Sequence, residues 1–214
     1  MTTTTRRYFP FIEAFLFCVF VGWYIWQLQA SFFYSWLVFP VWMIASFLLN
    51  GDSLRSVGLR ADNVWAAVKD SALVFLPCIF AVVVVGLMLG AGHRSIAPLL
   101  IPRRFFGYMA FCLIQQVGLN SMVTNRLLGA VESPVIASLV SGALFALLHW
   151  PNPVLVPITG VGGFLMAWLF AKDRNIFPLA VWQGTTGTLV WWAFPVAWHH
   201  AMRVGPGFYH FHPR

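Results

Sequence analysis

Three short stretches hold the side chains able to do chemistry in an otherwise apolar chain. In FCLIQQVGLNSMVTNRLL, residues 111–128, Gln116, Asn120 and Thr124 recur every four residues. That spacing puts them on one helix face, with Gln115, Ser121 and Asn125 beside them and Arg126 near the end. In FALLHWPNP, residues 145–153, Phe145 stands one turn before His149, and Pro151, Asn152 and Pro153 stop the helix. In VWQGTTGTLVWW, residues 181–192, Gln183 and Thr186 lie one turn apart, and Gly184 and Gly187 allow close helix approach. Carboxamides donate and accept hydrogen bonds without titrating, so they suit binding of water or of an oxyanion. Imidazole is the one side chain here that ordinarily exchanges a proton near neutrality, which makes His149 the acid–base candidate. Polar groups at bilayer depth also serve as plain hydrogen-bond glue between helices, and a histidine at a helix end can be satisfied structurally.

The remaining ionisable groups point elsewhere. Glu13 is the only carboxylate well inside an apolar run and is expected to snorkel toward the interface. Glu132, beside Pro134, reads as helix punctuation. His199, His200, His210 and His212 near the C-terminus match no closed zinc spacing, and one histidine among amides is a poor ligand set. No metal and no cofactor are expected. Cys18, Cys78 and Cys112 lie far apart in apolar runs and read as small buried hydrophobes.

The elements that must position these residues are membrane helices. The 214 residues are 60% hydrophobic and 9% charged, with mean hydropathy +0.78. So few ionisable groups cannot build a water-facing surface, since soluble domains carry about 25% charged residues. The expected fold is all-α, a polytopic transmembrane bundle of about seven spans in one domain, 1–214. The spans are read as residues 9–28, 32–49, 71–90, 105–130, 134–150, 154–171 and 176–198. The first is expected to be retained, because no small-residue cleavage site follows it. RADNVWAAVK, residues 60–69, reads as a short amphipathic helix at the interface, with Val64, Trp65 and Val68 toward lipid. A polar tail covers 199–214, with Gly205-Pro206-Gly207 expected to forbid helix. The net charge of +7 is spread singly or in pairs, which fits anionic lipid headgroups and argues against nucleic acid. Counting basic residues on each side favours a cytoplasmic N-terminus, with Arg6, Arg7, Arg55, Arg60, Lys69, Arg126, Lys172 and Arg174 inside.

The order of these stretches resembles the CPBP family, the CAAX-processing and bacteriocin-processing intramembrane endopeptidases. That family has Glu-Glu-x-x-x-Arg, Phe-x-x-x-His and His-x-x-x-Asn motifs, each on its own helix. The resemblance covers about 57–192, from a GLR before the amphipathic segment through the seventh span. Phe145 and His149 meet the second motif. Gln115 and Gln116 stand where paired glutamates are expected, Arg126 lies ten residues past Gln116 instead of four, and Gln183 and Gly187 replace the third pair. The resemblance implies a bacterial inner-membrane endopeptidase acting on a membrane-anchored or lipidated peptide. His149, Gln115, Gln116 and Gln183 would be its catalytic groups, and Asn120, Phe145, Asn152 and Arg126 would bind substrate. Because amides cannot serve as the general base, two further readings stand: a pseudoprotease that binds without cleaving, and a small transporter or accessory subunit. The expected partners are membrane lipids and the anchored peptide; the residues say nothing of oligomeric state.

Overall fold

In the computed structural model, residues 3–99 and 101–212 are described, without the side chains of 3–8, 33 and 99. The side chains of Arg6 and Arg7, and Pro213 and Arg214 of the tail, therefore lie outside the described residues. Every predicted span falls on helix, and no strand occurs among the described residues. The protein is a helical membrane bundle. Among the described residues ten α-helices occur in order: α1 (Thr3–Trp23), α2 (Val38–Leu49), α3 (Val64–Met88), α4 (Pro102–Gln116), α5 (Asn125–Ala130), α6 (Pro134–Leu147), α7 (Leu155–Asp173), α8 (Phe177–Ala193), and the single turns α9 (Val196–His199) and α10 (Pro206–Tyr209). Residues Phe9–Leu28, Val64–Met88 and Leu155–Asp173 are each long and apolar enough to cross a bilayer, and Tyr34–Leu49 and Pro134–Leu147 form shorter apolar helices. Their flanks expose large side chains such as Leu73 (77%), Phe80 (70%) and Leu147 (67%), which suits a lipid-facing surface.

Two expectations change. Residues 60–69 do not make a separate interfacial helix; the chain turns through Arg60–Asn63 and then enters α3, whose first turns carry Val64, Trp65 and Val68. The uninterrupted apolar sequence beyond Lys69 lets those turns propagate directly into the span. In the tail, Pro206 starts helix instead of preventing it, because a proline at the first helical position loses no hydrogen bond.

Between helices in lipid there is little hydrophobic drive, so close contact and buried polar bonds must hold the bundle. The α6–α7 pair shows the first device: a Cβ on Gly142 would lie 2.7 Å from both the Gly160 carbonyl oxygen and the Phe164 nitrogen. Only glycine lets these backbones meet. The second device is an ionic knot at the end where α1 begins. Arg126, 5% exposed, sits with Nε 3.0 Å from Glu13 Oε2 and Nη2 2.6 Å from Asp52 Oδ2, and also donates to Ser46 Oγ at 2.9 Å. Asn125 reaches Asp52 at 3.3 Å and accepts from Arg174. Glu13 therefore does not snorkel; it is held by a guanidinium from a distant helix, as a carboxylate at this depth requires.

A third device fastens the 50–63 loop to the α7–α8 turn. Asn175 donates to the Arg60 carbonyl (3.0 Å) and to Asn63 Oδ1 (2.8 Å), while Asn63 donates to the Asp173 carbonyl at 2.6 Å. Gly58 makes this approach possible: its φ is +81° and a Cβ there would meet Phe170 at 2.6 Å.

Candidate functional site

Between α4 and α5 the helix widens into π-helical turns over Val117–Thr124. Such widening frequently marks functional positions. Thr124 Oγ1 lies 2.9 Å from the Leu119 carbonyl five residues back and 2.9 Å from Ser141 Oγ on α6. The widened stretch keeps Gln116, Asn120 and Thr124 aligned toward the bundle interior, where all three are fully buried.

On the opposite wall, α8 is locked beside α3 by the Trp182 indole, which donates to Ser71 Oγ at 2.9 Å and stacks on Phe75 at 6.0 Å. That lock directs the next residue, Gln183, to α4. The result is a head-to-tail chain of amides. Gln183 Nε2 donates to Gln115 Oε1, Gln116 Nε2 to Gln183 Oε1, and Asn120 Nδ2 to Gln116 Oε1, each at 2.6 Å. Thr124 Oγ1 continues it at 3.1 Å from Asn120 Oδ1, and Met166 Sδ lies 2.8 Å from Gln116 Nε2. The interior amides are thus satisfied by one another. The Gln115 amino group is left over; among the described residues it makes no hydrogen bond.

Gln115 lines a cavity of about 500 Å³, within the range of small-molecule sites. Its walls are apolar, with Phe17, Val21, Phe39 and Met43 from α1 and α2 facing Ile114 and Leu119. Phe111 and Ile114 on its rim are 52% and 47% exposed, so it opens sideways toward lipid. Phe145 and His149 line it as well. The His149 Nδ1 lies 2.7 Å from the Phe145 carbonyl, and the two rings meet edge to face at 4.6 Å. A carbonyl can only accept, so Nδ1 carries the proton and the neutral ring keeps its lone pair on Nε2. His149 and Gln115 therefore share one cavity, with Gln116, Gln183 and Asn120 packed behind Gln115.

Two expected binders are placed elsewhere. Arg126 is spent in the ionic knot. Asn152 is fully buried and acts as a clasp: Nδ2 donates to the His199 and Arg203 carbonyls at 2.8 and 2.9 Å, and Oδ1 accepts from Val154 N and Leu155 N. An asparagine beside prolines at a helix start caps that helix. Asn120, four residues past Gln116, stands where the first motif has its arginine. Beside Gly187 the Tyr108 hydroxyl fills the space a Cβ would need, so a side chain where the third motif has asparagine would have to displace Tyr108. The cavity walls from α1 and α2, and Gln29 on its rim, were not foreseen; their residues are apolar or isolated and carry no periodic signal.

The tail histidines do not converge. His199 is buried, His200 stacks on Phe208 at 3.9 Å, and His210 and His212 are exposed. Among the described residues no group of three or more His, Cys, Asp or Glu side chains is placed to hold a metal.

A helical membrane bundle with a buried amide chain behind a lipid-facing cavity is the class of protein that fold and site define. Residues 113–189 match the family model described as type II CAAX prenyl endopeptidase Rce1-like, which bears out the resemblance carried by the motifs. The match begins just before Gln115 and ends just after Gly187, so it takes in the whole amide chain and His149. No curated protein and no solved structure matches the chain.

Proposed function

We propose that the chain is a CPBP-type intramembrane endopeptidase that cleaves a membrane-anchored peptide in the cavity shared by His149 and Gln115. The observation that carries this reading is the pairing of an imidazole of fixed tautomer with an unspent amide donor in one lipid-facing pocket. His149 Nε2 takes a proton from water, whose oxygen adds to the scissile carbonyl carbon. The carbonyl oxygen becomes an oxyanion and accepts from the Gln115 amino group. The imidazolium then passes its proton to the departing nitrogen as the C–N bond breaks, giving a carboxylic acid and an amine. Gln183 and Gln116 are positioning residues: Gln183 uses up the Gln115 carbonyl oxygen and so points its amino group outward, and Gln116 holds Gln183 in place by donating to its carbonyl oxygen. Expression of the His149→Ala form in cells holding the anchored substrate tests the reading; undiminished processing would dispose of it.

One observation favours a second reading, a pseudoprotease that binds the peptide without cutting it. Gln116 and Gln183 bond to each other where the family places titratable groups, and among the described residues no carboxylate lines the cavity. Converting Gln116→Glu separates the two: activity appearing in an inert parent indicates a binding site that has lost its base.

A further inference from the structure

The two ends of the bundle differ in charge pairing. All six carboxylates of the chain, Glu13, Asp52, Asp62, Asp70, Glu132 and Asp173, fall at the end where α1 and α3 begin and α7 stops. Of the basic groups there, Arg126 is matched by Glu13 and Asp52, Arg55 and Arg60 by Asp62, and Lys172 by Asp70, while Arg174 donates to Asn125 and the Ser56 carbonyl and Lys69 lies over the Trp65 ring. Among the described residues the opposite end has no Asp or Glu side chain. It carries exposed Arg103, Arg104 and Arg203, together with exposed His93, His210 and His212. Arg94 at this end is engaged, donating to the Trp192 and Ala193 carbonyls at 3.1 and 2.8 Å. Among the described residues Arg103 and Arg203 make no ion pair; Arg203 lies 5.3 Å over the Phe211 ring.

This unmatched end meets the cavity. Gly107, Phe111 and Gln115 line it at four-residue intervals along α4, and Arg103 is the next position on that face, one turn toward the bundle end. On the far lip Val204 lines the same cavity, directly after Arg203 in the chain. The residues lining the chamber thus include Val204, next in the chain to one exposed arginine without an ion pair, and Gly107, one helical turn from another, at the end of the bundle. We propose that this cavity and its rim bind one anionic phospholipid, with an acyl chain among Phe17, Val21 and Ile114 and its phosphate on Arg103 and Arg203. The lodged lipid occupies the space a substrate needs, so it competes for the site. The lipid site stands on cavity shape and charge and is independent of any cleavage chemistry.

The test is native mass spectrometry of the full chain released from detergent, after equilibration with phosphatidylglycerol, with phosphatidylcholine of identical chains, or with inorganic phosphate. Phosphatidylglycerol should be retained at one molecule per chain in preference to phosphatidylcholine. Each arginine near a lipid surface contributes enough for about a fivefold change in affinity. R103Q and R203Q should therefore each weaken retention by about that factor, while R55Q at the other end leaves it unchanged. Ala110→Trp, which narrows the chamber without touching charge, should also displace the lipid. Equal retention of the two lipids, or equal losses in R103Q and R55Q, would overturn the proposal. So would inorganic phosphate binding as tightly as phosphatidylglycerol and surviving Ala110→Trp. Lipid retention is read without substrate, so its failure is distinct from a failure of His149→Ala to alter processing.

Discussion

Gln183 on α8 donates to Gln115 on α4 across 2.6 Å while accepting from Gln116 at the same distance. One side chain therefore joins two helices and orients the amide that faces the cavity. Removing it as Gln183→Ala strands an acceptor on Gln115 and a donor on Gln116, and leaving a buried polar group unpaired costs about 1–3 kcal/mol. The expected outcome is a loss of that size in reversible unfolding in mixed micelles. A Gln115→Leu/Gln183→Leu pair, which also removes the stranded acceptor and leaves the Gln116 amino group its Met166 contact, should recover part of it.

Gln115→Leu keeps the size of the side chain and removes the donor facing the cavity. With an anchored peptide as substrate, kcat should fall by about 100-fold with little change in KM, as for loss of one oxyanion donor. A change confined to KM would assign Gln115 to binding alone.

Arg126→Met leaves Glu13 and Asp52 facing each other without their cation. Breaking a buried ion pair from one side costs about 3–5 kcal/mol. The single variant should be lost from membranes or unfold early, and the triple variant Glu13→Gln/Asp52→Asn/Arg126→Met should be restored in large part. Immunoblots of membrane fractions and thermal scans check both.

Gly142→Val forces a side chain against the Gly160 carbonyl and the Phe164 backbone. Overpacking of a tight contact costs about 1–3 kcal/mol. Because α6 also carries Phe145 and leads into His149, labelling of a cysteine placed at Leu148 by a lipophilic maleimide should rise in this variant.

Asp62, in the loop before α3, is held down to a pKa of about 2, first by its hydrogen bond from Arg60 and also by the charge of Arg55. A carboxylate depressed in the folded state contributes above its unfolded value, near 3.8, and that contribution is lost as pH falls toward 2. Asp62 is exposed, so the effect should be small and weaker in salt. Unfolding midpoints compared between pH 5 and pH 2.5 should decline less in Asp62→Asn than in the parent.

The helices were legible because long apolar runs in lipid have no other way to satisfy their backbones. The four-residue spacing of Gln116, Asn120 and Thr124 likewise foretold a shared face, and Phe145 with His149 foretold a shared turn. The partners of Arg126 were not legible, since Glu13 and Asp52 lie on other elements and a charge pair across a bundle leaves no local pattern. Asn152 misled for a related reason: a polar residue at a helix start reads equally as binder or cap, and only its four hydrogen bonds distinguish them. The cavity was invisible because it is enclosed by ordinary phenylalanines, valines and methionines whose role depends on which helices become neighbours.

One wall of the chamber comes from a different part of the polypeptide than the amide chain, with Phe17, Val21, Phe39 and Met43 all lying ahead of residue 113. The gauge of the chamber can therefore be reset by exchanging bulky and small residues in α1 and α2 while the polar row stays untouched. Which molecules are admitted, and what happens to them once inside, are adjustable separately.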